Sequence, residues 1–512
     1  MRRALHVLEG NGPQEQRNTT WSFEQPYDHP YFGQLFLAGA LGIVSYPDSL
    51  NPRLDDIYSI EILHLVPRLL MGILAVVDTF LIYKIAERRY NNKNIAFIAA
   101  VLFAVMPMSW LVRRILLDSL FLPFLLLSIF FAINIKNINI EKSENQYDKS
   151  ASKIDRISLL TLLSGIFLGL TIFTKIPAFT MLPLVGFLIY DNFHGKIIYY
   201  SRRKKLKNLG LWLVPVILIP LIWPIYAVSA GELENWLNGL TWQATERPDR
   251  PIWNSLSDIF KFDPVLFVLG ISAIVYVAVR KRDSLVILWV VPFIVFFYFV
   301  DHLRDIHWIP IIPVFCIAAA VLIVDLSNRI SPGKIHRILP FVTISAIGLF
   351  GLIITAALVT LNVNSTFFQI YAFVVDYLPS QDKDNTVYNA KEKTVLMGSN
   401  WMQIFSWIPK YIFDKDHDFK TFKRFVGSVK EPNLPIKEGE KVLLLVDNND
   451  LERFVLGEST KKNVKQKELY NETKLITKFE AKAIHPDRDK YPYRTVGPNA
   501  GIARGIEIRS NY

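Results

Sequence analysis

The chain has 512 residues, of which 51% are apolar, 13% aromatic and only 20% charged, against about 25% charged in an ordinary soluble domain. Its net charge of +11 does not mark a nucleic-acid binder, because Lys and Arg sit in short clusters between apolar runs, as membrane topology requires. Cys316 is the one cysteine, which excludes an intramolecular disulfide and reads as a small hydrophobe inside an apolar run.

From Met1, Arg2 and Arg3 the chain runs into a stretch too polar for the apolar core of a secretory signal, so either insertion begins with a later span or the true start lies upstream. Residues 1–60 are expected to form an extracytoplasmic first loop. Within it, Tyr31 to Ser45 is apolar but only about 15 residues long, which suits a helix lying along the membrane surface better than one crossing it. Apolar windows then predict about ten spans over residues 61–362, near 62 to 84, 94 to 111, 115 to 135, 157 to 174, 177 to 192, 209 to 228, 263 to 280, 284 to 300, 308 to 326 and 338 to 361. The alternate loops beginning at Lys84, Lys136, Lys196, Arg280 and Arg329 carry roughly 21 cations against about 7 in the intervening ones, which places the basic loops in the cytoplasm. Both chain ends and the loop from Ser229 to Phe262 then lie outside, as do Asn-x-Thr sequons at Asn18, Asn364 and Asn471. The stretch Glu141 to Asp155 reads as a polar cytoplasmic linker.

After Leu361 the pattern changes. Strand-like runs at Thr394 to Met397, Lys441 to Val446 and Ile502 to Ile508, separated by charged and helix-like segments, predict a small extracytoplasmic α/β domain over 363–512. It has no Gly-rich phosphate loop and no metal-ligand spacing. The fold class is therefore an all-α polytopic membrane domain followed by a small α/β domain.

Charges at the outer ends of spans oppose the topological bias and need a reason. In SWLVRRILLDS, Arg113 and Arg114 offer guanidinium forks suited to phosphate, and Arg114 and Asp118 at i, i+4 would share a helix face. The bland alternative is a helix-stabilising ion pair with snorkelling arginines. In Tyr27-Asp28-His29-Pro30, Asp28 reads either as the N-cap of the interfacial helix, with Pro30 in its first turn, or as a carboxylate above a membrane-surface active site with His29 beside a phosphate. Lys175 in FTKIPA, and Arg304 with His307 in DHLRDIHW, are cations at the same surface; each alone is more often an interfacial anchor. Coming from separate loops, together they would build an anion pocket. Asp28 and His29 supply two ligands for a divalent cation, too few to define a site.

The ordered pieces ALHVLEGNG, YDHPYFGQLFLAGALGI, LVPRLLMGILAVV, RRILLDSLFLPFLLL, GLTIFTKIPAF and RDIHWIPIIPVFCIAAA resemble the polyprenyl-phosphate-dependent glycosyltransferases of the GT-C fold, especially protein O-mannosyltransferases and the aminoarabinose transferases that modify lipid A. The resemblance covers most of residues 1 to 330. It implies a first loop built of juxtamembrane helices, Asp28 in the acidic active site, His29 near the lipid phosphate, and Arg113, Arg114 and Asp118 in the polar cluster at the outer end of the family's third span. Lys175 and His307 match basic positions of later loops. The family's first span and the acidic pair after it would fall before Ala4, so the resemblance implies either that the true start lies further upstream or that the protein lacks the main catalytic acid. The implied reaction moves a sugar from a polyprenyl (dolichyl-type) monophosphate to a hydroxyl of a protein, lipid or glycan, with inversion, on the outer face of a plasma membrane. A lipid or solute transporter, or a non-catalytic scaffold of the same fold, are the rival readings.

Overall fold

The computed structural model describes residues 1–14, 27–53, 55–144, 150–194, 202–247, 249–330, 335–360, 365–382, 395–398, 407–408, 422–424, 442–447, 451, 464–480 and 505–511. The chain divides into two compact units, one of Met1–Glu24, Leu35–Pro67 and Val359–Tyr512, the other of Gln25–Gln34 and Arg68–Leu358.

In chain order the helices are α1 (Arg2–Leu8), α2 (Phe32–Ile43), α3 (Ile57–Tyr90), α4 (Lys93–Val105), α5 (Leu117–Glu144), α6 (Ser150–Thr174), α7 (Leu182–His194), α8 (Arg202–Ser229), α9 (Leu233–Thr241), α10 (Ile252–Phe262), α11 (Pro264–Tyr276), α12 (Ser284–Val300), α13 (Ile312–Ile330), α14 (Ile335–Thr360) and α15 (Ser365–Asp382). All ten apolar runs of the sequence are helical. Seven are long and apolar enough to cross a bilayer, and an eighth is a bent pair in which α4 meets the 3₁₀ turn Pro107–Arg113 at 70°. The segments Ile176–Asp191 and Ser284–Val300 are equally apolar but shorter. At 12 residues, α2 is about 18 Å long, too short for a hydrocarbon core of about 30 Å. The stretch read as a polar linker is largely helical: α5 continues to Glu144 and α6 starts at Ser150.

Local chemistry sets these boundaries. Asn92 caps α4 by accepting from the backbone of Asn94 and Ile95, and Asp263 caps α11 by accepting from Leu266 N at 2.9 Å. The bend after α4 follows from Pro107, which forces Met106 into extended backbone (φ −71°, ψ 144°). It frees two carbonyls, and both find donors: Arg113 Nη2 reaches Ala104 O at 2.6 Å and Thr355 Oγ1 reaches Val105 O at 2.7 Å.

In a membrane, helices associate through close packing and buried polar contacts, since lipid tails are as apolar as Leu. Gly165 of α6 lets Trp212 of α8 approach so closely that a Cβ there would lie 2.3 Å from its carbonyl oxygen. The α5–α6 contact is held by Ser128 and Ser164, each donating to the other's carbonyl at 2.8 and 3.0 Å. At the centre runs the Asp305–Arg329 segment, with 83% of its apolar window buried.

In the other unit, Tyr46 donates to Leu63 O at 2.8 Å, and Phe373 of α15 meets Phe479 edge-on at 5.6 Å. Strands β1 (Val395–Gly398), β2 (Phe422–Arg424), β3 (Val442–Asp447), β4 (Lys474–Glu480) and β5 (Gly505–Ser510) form one sheet in the order β2-β1-β3-β5-β4. The pairs β1–β2 and β1–β3 are parallel, and β3–β5 and β4–β5 antiparallel. With α16 (Val464–Glu472) preceding β4, this is the expected α/β domain.

Candidate functional site

Asp118 sits in the first turn of α5, and Lys175 is the extended residue between α6 and the 3₁₀ turn Ile176–Met181. Pro177 cannot continue α6, which turns the chain there and aims Lys175 back across the helix ends. Lys175 Nζ lies 2.7 and 2.6 Å from the two carboxylate oxygens of Asp118, and the side chains are only 6% and 5% exposed. Burial pulls the Lys175 ammonium below the usual lysine range, and the Asp118 carboxylate opposes that shift. Beside the pair, His307 in the turn Asp305–Ile311 stacks on Phe297 at 4.9 Å and accepts from the Arg304 amide through Nδ1 at 3.2 Å. Asp118, Lys175, Thr180 and His307 line a small cavity together with Phe121, Phe293 and Phe297.

More cations gather here than acids. Arg247 and Arg304 act electrostatically on Lys175, and both, with His302, act on His307. Arg114 stacks over Trp110 at 5.5 Å. Burial lowers its pKa, Asp305 opposes this, and Arg304 and Arg68 add to it. Arg247 comes from the loop after α9 and lies over the Trp242 ring at 5.0 Å. That loop is pinned where Arg250 N donates to Asp301 O at 2.8 Å and Leu303 N donates back to Arg250 O at 3.2 Å. A phosphate would find surplus positive charge in a site screened from water.

Asp28 and His29 ride on a segment seated on the same helix ends. A Cβ at Gly33 would come within 2.8 Å of Thr174 Cγ2 and 2.9 Å of Leu117 Cδ2, the residues just before Lys175 and Asp118. Tyr27 O packs on Gly239, and Tyr31 meets Phe173 and Tyr226 edge-on at 4.8 and 5.4 Å. Asp28 is 6% exposed and His29 half-buried. Burial, with Glu232 nearby, raises the Tyr27 hydroxyl to about 12, so it stays a neutral donor.

Several expectations change. The helix starts at Phe32, so Asp28 is too far upstream to be its N-cap, and Pro30 precedes the first turn. Arg114 and Asp118 do not share a helix face. Arg114 is in extended backbone (φ −86°, ψ 152°) after the 3₁₀ turn, and α5 begins only at Leu117, so the i, i+4 rule does not reach across the break; the ion pair of Asp118 is with Lys175. Arg113 turns away to cap Ala104 O. Arg304 is at the rim, 44% exposed. Arg68, Arg247 and Asp305 were missed by sequence reasoning; Arg247 stood in an outer loop against the charge bias, a signal that could have found it.

Among the described residues no group of three or more His, Cys, Asp or Glu side chains is arranged to hold a metal ion, so Asp28 and His29 gain no third ligand there. Sequons Asn18 and Asn364 lie outside the described residues. Asn471 is exposed at the end of α16, but the Thr473 hydroxyl of its sequon is buried and donates to Tyr470 O at 2.9 Å.

Residues 25–231 match the sequence model of the dolichyl-phosphate-mannose-protein mannosyltransferase family. The matched stretch contains Asp28, His29, Arg113, Arg114, Asp118 and Lys175, while Arg247, Arg304 and His307 fall beyond it. This bears out the GT-C glycosyltransferase resemblance read from the sequence. No curated protein sequence matches the chain. Similar solved structures include ArnT of Cupriavidus metallidurans bound to undecaprenyl phosphate, at 10% identity and a TM-score of 0.49 over 100% of this chain and 92% of that one. They also include the oligosaccharyltransferase AglB of Archaeoglobus fulgidus in complex with an inhibitory peptide and a dolichol-phosphate, at 14% identity and a TM-score of 0.46. This chain aligns over 88% of its own length with AglB and spans 65% of AglB's.

Proposed function

We propose that the protein transfers a sugar from a polyprenyl monophosphate to an acceptor hydroxyl, at the membrane face opposite the basic loops. The observation that carries this is the buried Asp118–Lys175 pair in a cavity, with Arg114, Arg247 and Arg304 close by. Lys175 and these arginines neutralise the donor phosphate. Asp118 already occupies Lys175 with both its oxygens, so its role is to hold that ammonium in place. The proton acceptor is then Asp28, on the segment lying against the same helix ends. The acceptor oxygen attacks the anomeric carbon, its proton passes to Asp28, and the bond to the phosphate oxygen breaks with both electrons leaving on the lipid phosphate, inverting the anomeric centre. The family match over residues 25–231 supports a mannosyl-type donor, and the AglB and ArnT complexes hold lipid phosphates of the class proposed. The acceptor class stays open between protein, lipid and glycan.

The test is transfer from a radiolabelled polyprenyl-phosphate mannose in membranes, comparing the wild-type chain with Asp28→Asn and Lys175→Met. Both variants should lose at least about a hundredfold in rate; unchanged transfer in both overturns the assignment. One observation favours a transporter instead: Asp78, within α3, is fully buried with neither carboxylate oxygen hydrogen-bonded, as ionisable groups on membrane pathways can be. Lipid-phosphate flipping in proteoliposomes that is lost in Asp78→Asn, with no sugar transfer, would establish that reading.

A further inference from the structure

We infer that Asp305 reads the transferred sugar, its carboxylate accepting hydrogen bonds from the ring hydroxyls of a neutral sugar while the phosphate sits on the Lys175 side. This deepens the proposed reaction and rests on it, since it takes the occupant to be a lipid-phosphate sugar.

Asp305 opens the 3₁₀ turn that carries His307. Such a turn has about three residues per revolution, so side chains three apart share a face. His307 and Pro310 accordingly both line the cavity, and Asp305 is turned about a third of a revolution away from them. Its turn packs against the turn Pro107–Arg113 that leads to Arg114, and it acts electrostatically on both Arg114 and Asp118. Asp305 therefore borders the buried pair from the Arg114 side.

For a carboxylate among arginines it is poorly satisfied. Its Oδ1 is buried with no hydrogen-bond partner among the described residues, and Arg304 Nε stands 3.9 Å off, beyond hydrogen-bond reach. Arg114 lies over the Trp110 ring, whose Nε1 is likewise buried and unmatched. Buried polar groups are nearly always hydrogen-bonded, so the junction of the two turns calls for a ligand with both donors and acceptors. A phosphate diester has acceptors alone, and the carboxylate repels it towards Lys175. A sugar ammonium is repelled by Arg114 and Arg304, and by Arg68, which also acts on Arg114. Neutral hydroxyls meet both conditions, donating to Asp305 and accepting from guanidinium or indole. The Asp305 side chain is 17% exposed, so a ligand can reach it.

The test measures binding to the full chain by lipid-dependent thermal shift, and transfer in membranes. The probes are undecaprenyl phosphate, undecaprenyl-phosphate mannose, and the mannose donors lacking one hydroxyl at C2, C3, C4 or C6. Wild type should bind one of the deoxy donors at least about tenfold more weakly than the mannose donor. Asp305→Ala should lose as much with the mannose donor, lose nothing further with that deoxy donor, and bind the bare lipid phosphate as well as before or better. An equal loss on the bare lipid phosphate would mean that Asp305 only holds the arginines, and overturns the assignment. Equal binding of all four deoxy donors by wild type leaves water alone on Asp305 and overturns it too, as does tighter binding of an amino-sugar donor. Where Asp305→Ala fails to fold, Asp305→Asn keeps the size and one acceptor oxygen and should show the same pattern with a smaller loss; its absence there counts equally against the reading. Transfer by wild type with uniform binding of the deoxy donors removes the sugar site and spares the reaction. Discrimination among deoxy donors without transfer to any acceptor keeps the site and removes the reaction.

Discussion

At the end of the helix bundle that carries the basic loops, Asp283 takes Arg89 at 2.5 Å and Tyr90 at 2.6 Å, while Asp325 takes Lys281 at 2.8 Å and Arg329 at 3.3 Å. Two of the three cations there are wet, with Lys281 42% and Arg329 54% exposed, whereas Arg89 is 22% exposed against a buried Asp283. At the other end the same residue types meet under different terms: Lys175 and Asp118 are sealed from solvent, and further arginines press on them. Exposed pairs contribute about 0–1 kcal/mol, whereas breaking a buried pair by removing one partner costs about 3–5 kcal/mol. A fold gains little by keeping surplus positive charge dry unless an anion comes to neutralise it, and that is why the second end reads as a binding site and the first as topology.

The largest effects should fall on the buried pair, with opposite signs for binding. Lys175→Met leaves Asp118 without its partner in the cavity wall and takes the ammonium away from the phosphate, so transfer and lipid-phosphate binding should both collapse. Asp118→Asn instead leaves Lys175 with surplus charge. The folded state should lose stability, yet bind undecaprenyl phosphate about tenfold more tightly, because the phosphate now replaces the lost carboxylate. Lipid-dependent thermal shifts in detergent read this directly. If Asp118→Asn weakens binding as much as Lys175→Met does, the pair is structural and the contrast between the two ends disappears.

Burial alone does not make a site, and Asp263 shows the difference. It is fully buried near the bend after α4, but its two oxygens accept from Met108 N and Leu266 N at 2.9 Å each. Asp263→Ala orphans two amides, at a cost of about 1–3 kcal/mol each; the melting temperature should drop while the KM for donor in the folded fraction holds. A raised KM would place Asp263 in the site.

A smaller effect separates two adjacent arginines. Arg114→Ala should raise KM for the donor about tenfold, a loss of about 1.4 kcal/mol, because Arg114 belongs to the cation group around Asp305. Arg113→Ala should lower stability by about 1 kcal/mol through the lost cap on Ala104, with KM unchanged. Equal KM effects would return Arg113 to the phosphate site.

That pair also marks how far the sequence could be read. The apolar runs became helices because a span is announced by length and hydropathy, both local properties. The short α2 and the α/β character of the C-terminal domain followed from similarly local signals. Lys175, Asp118 and His307 could be nominated as charges at span ends, and the structure brings them to one cavity. Which charge faces which could not be read, because the Pro107 bend breaks the helical register that would have paired Arg114 with Asp118. Arg247 reaches the site through the backbone pairing of Arg250 with Asp301 and Leu303, a contact between distant loops that leaves no periodic trace.

The smallest effect tests the wet end. Asp325 is shared by Tyr276, Lys281 and Arg329, and Arg329 also lies over the Tyr276 ring at 5.9 Å. Removing one of two exposed cations leaves the other in place, so Lys281→Ala should cost no more than about 1 kcal/mol, fading as salt is raised, with sugar transfer unchanged. Its visible consequence should be topological, since each cation lost from a basic loop weakens the bias that holds that loop on its side of the membrane. Cysteine-accessibility mapping of the 280–284 loop in Lys281→Ala, and in a variant lacking Arg280 and Arg282 as well, would measure it. A loss of transfer in Lys281→Ala with the loop still in place would mean that the two ends are energetically coupled, and that charge at the wet end does more than orient the chain.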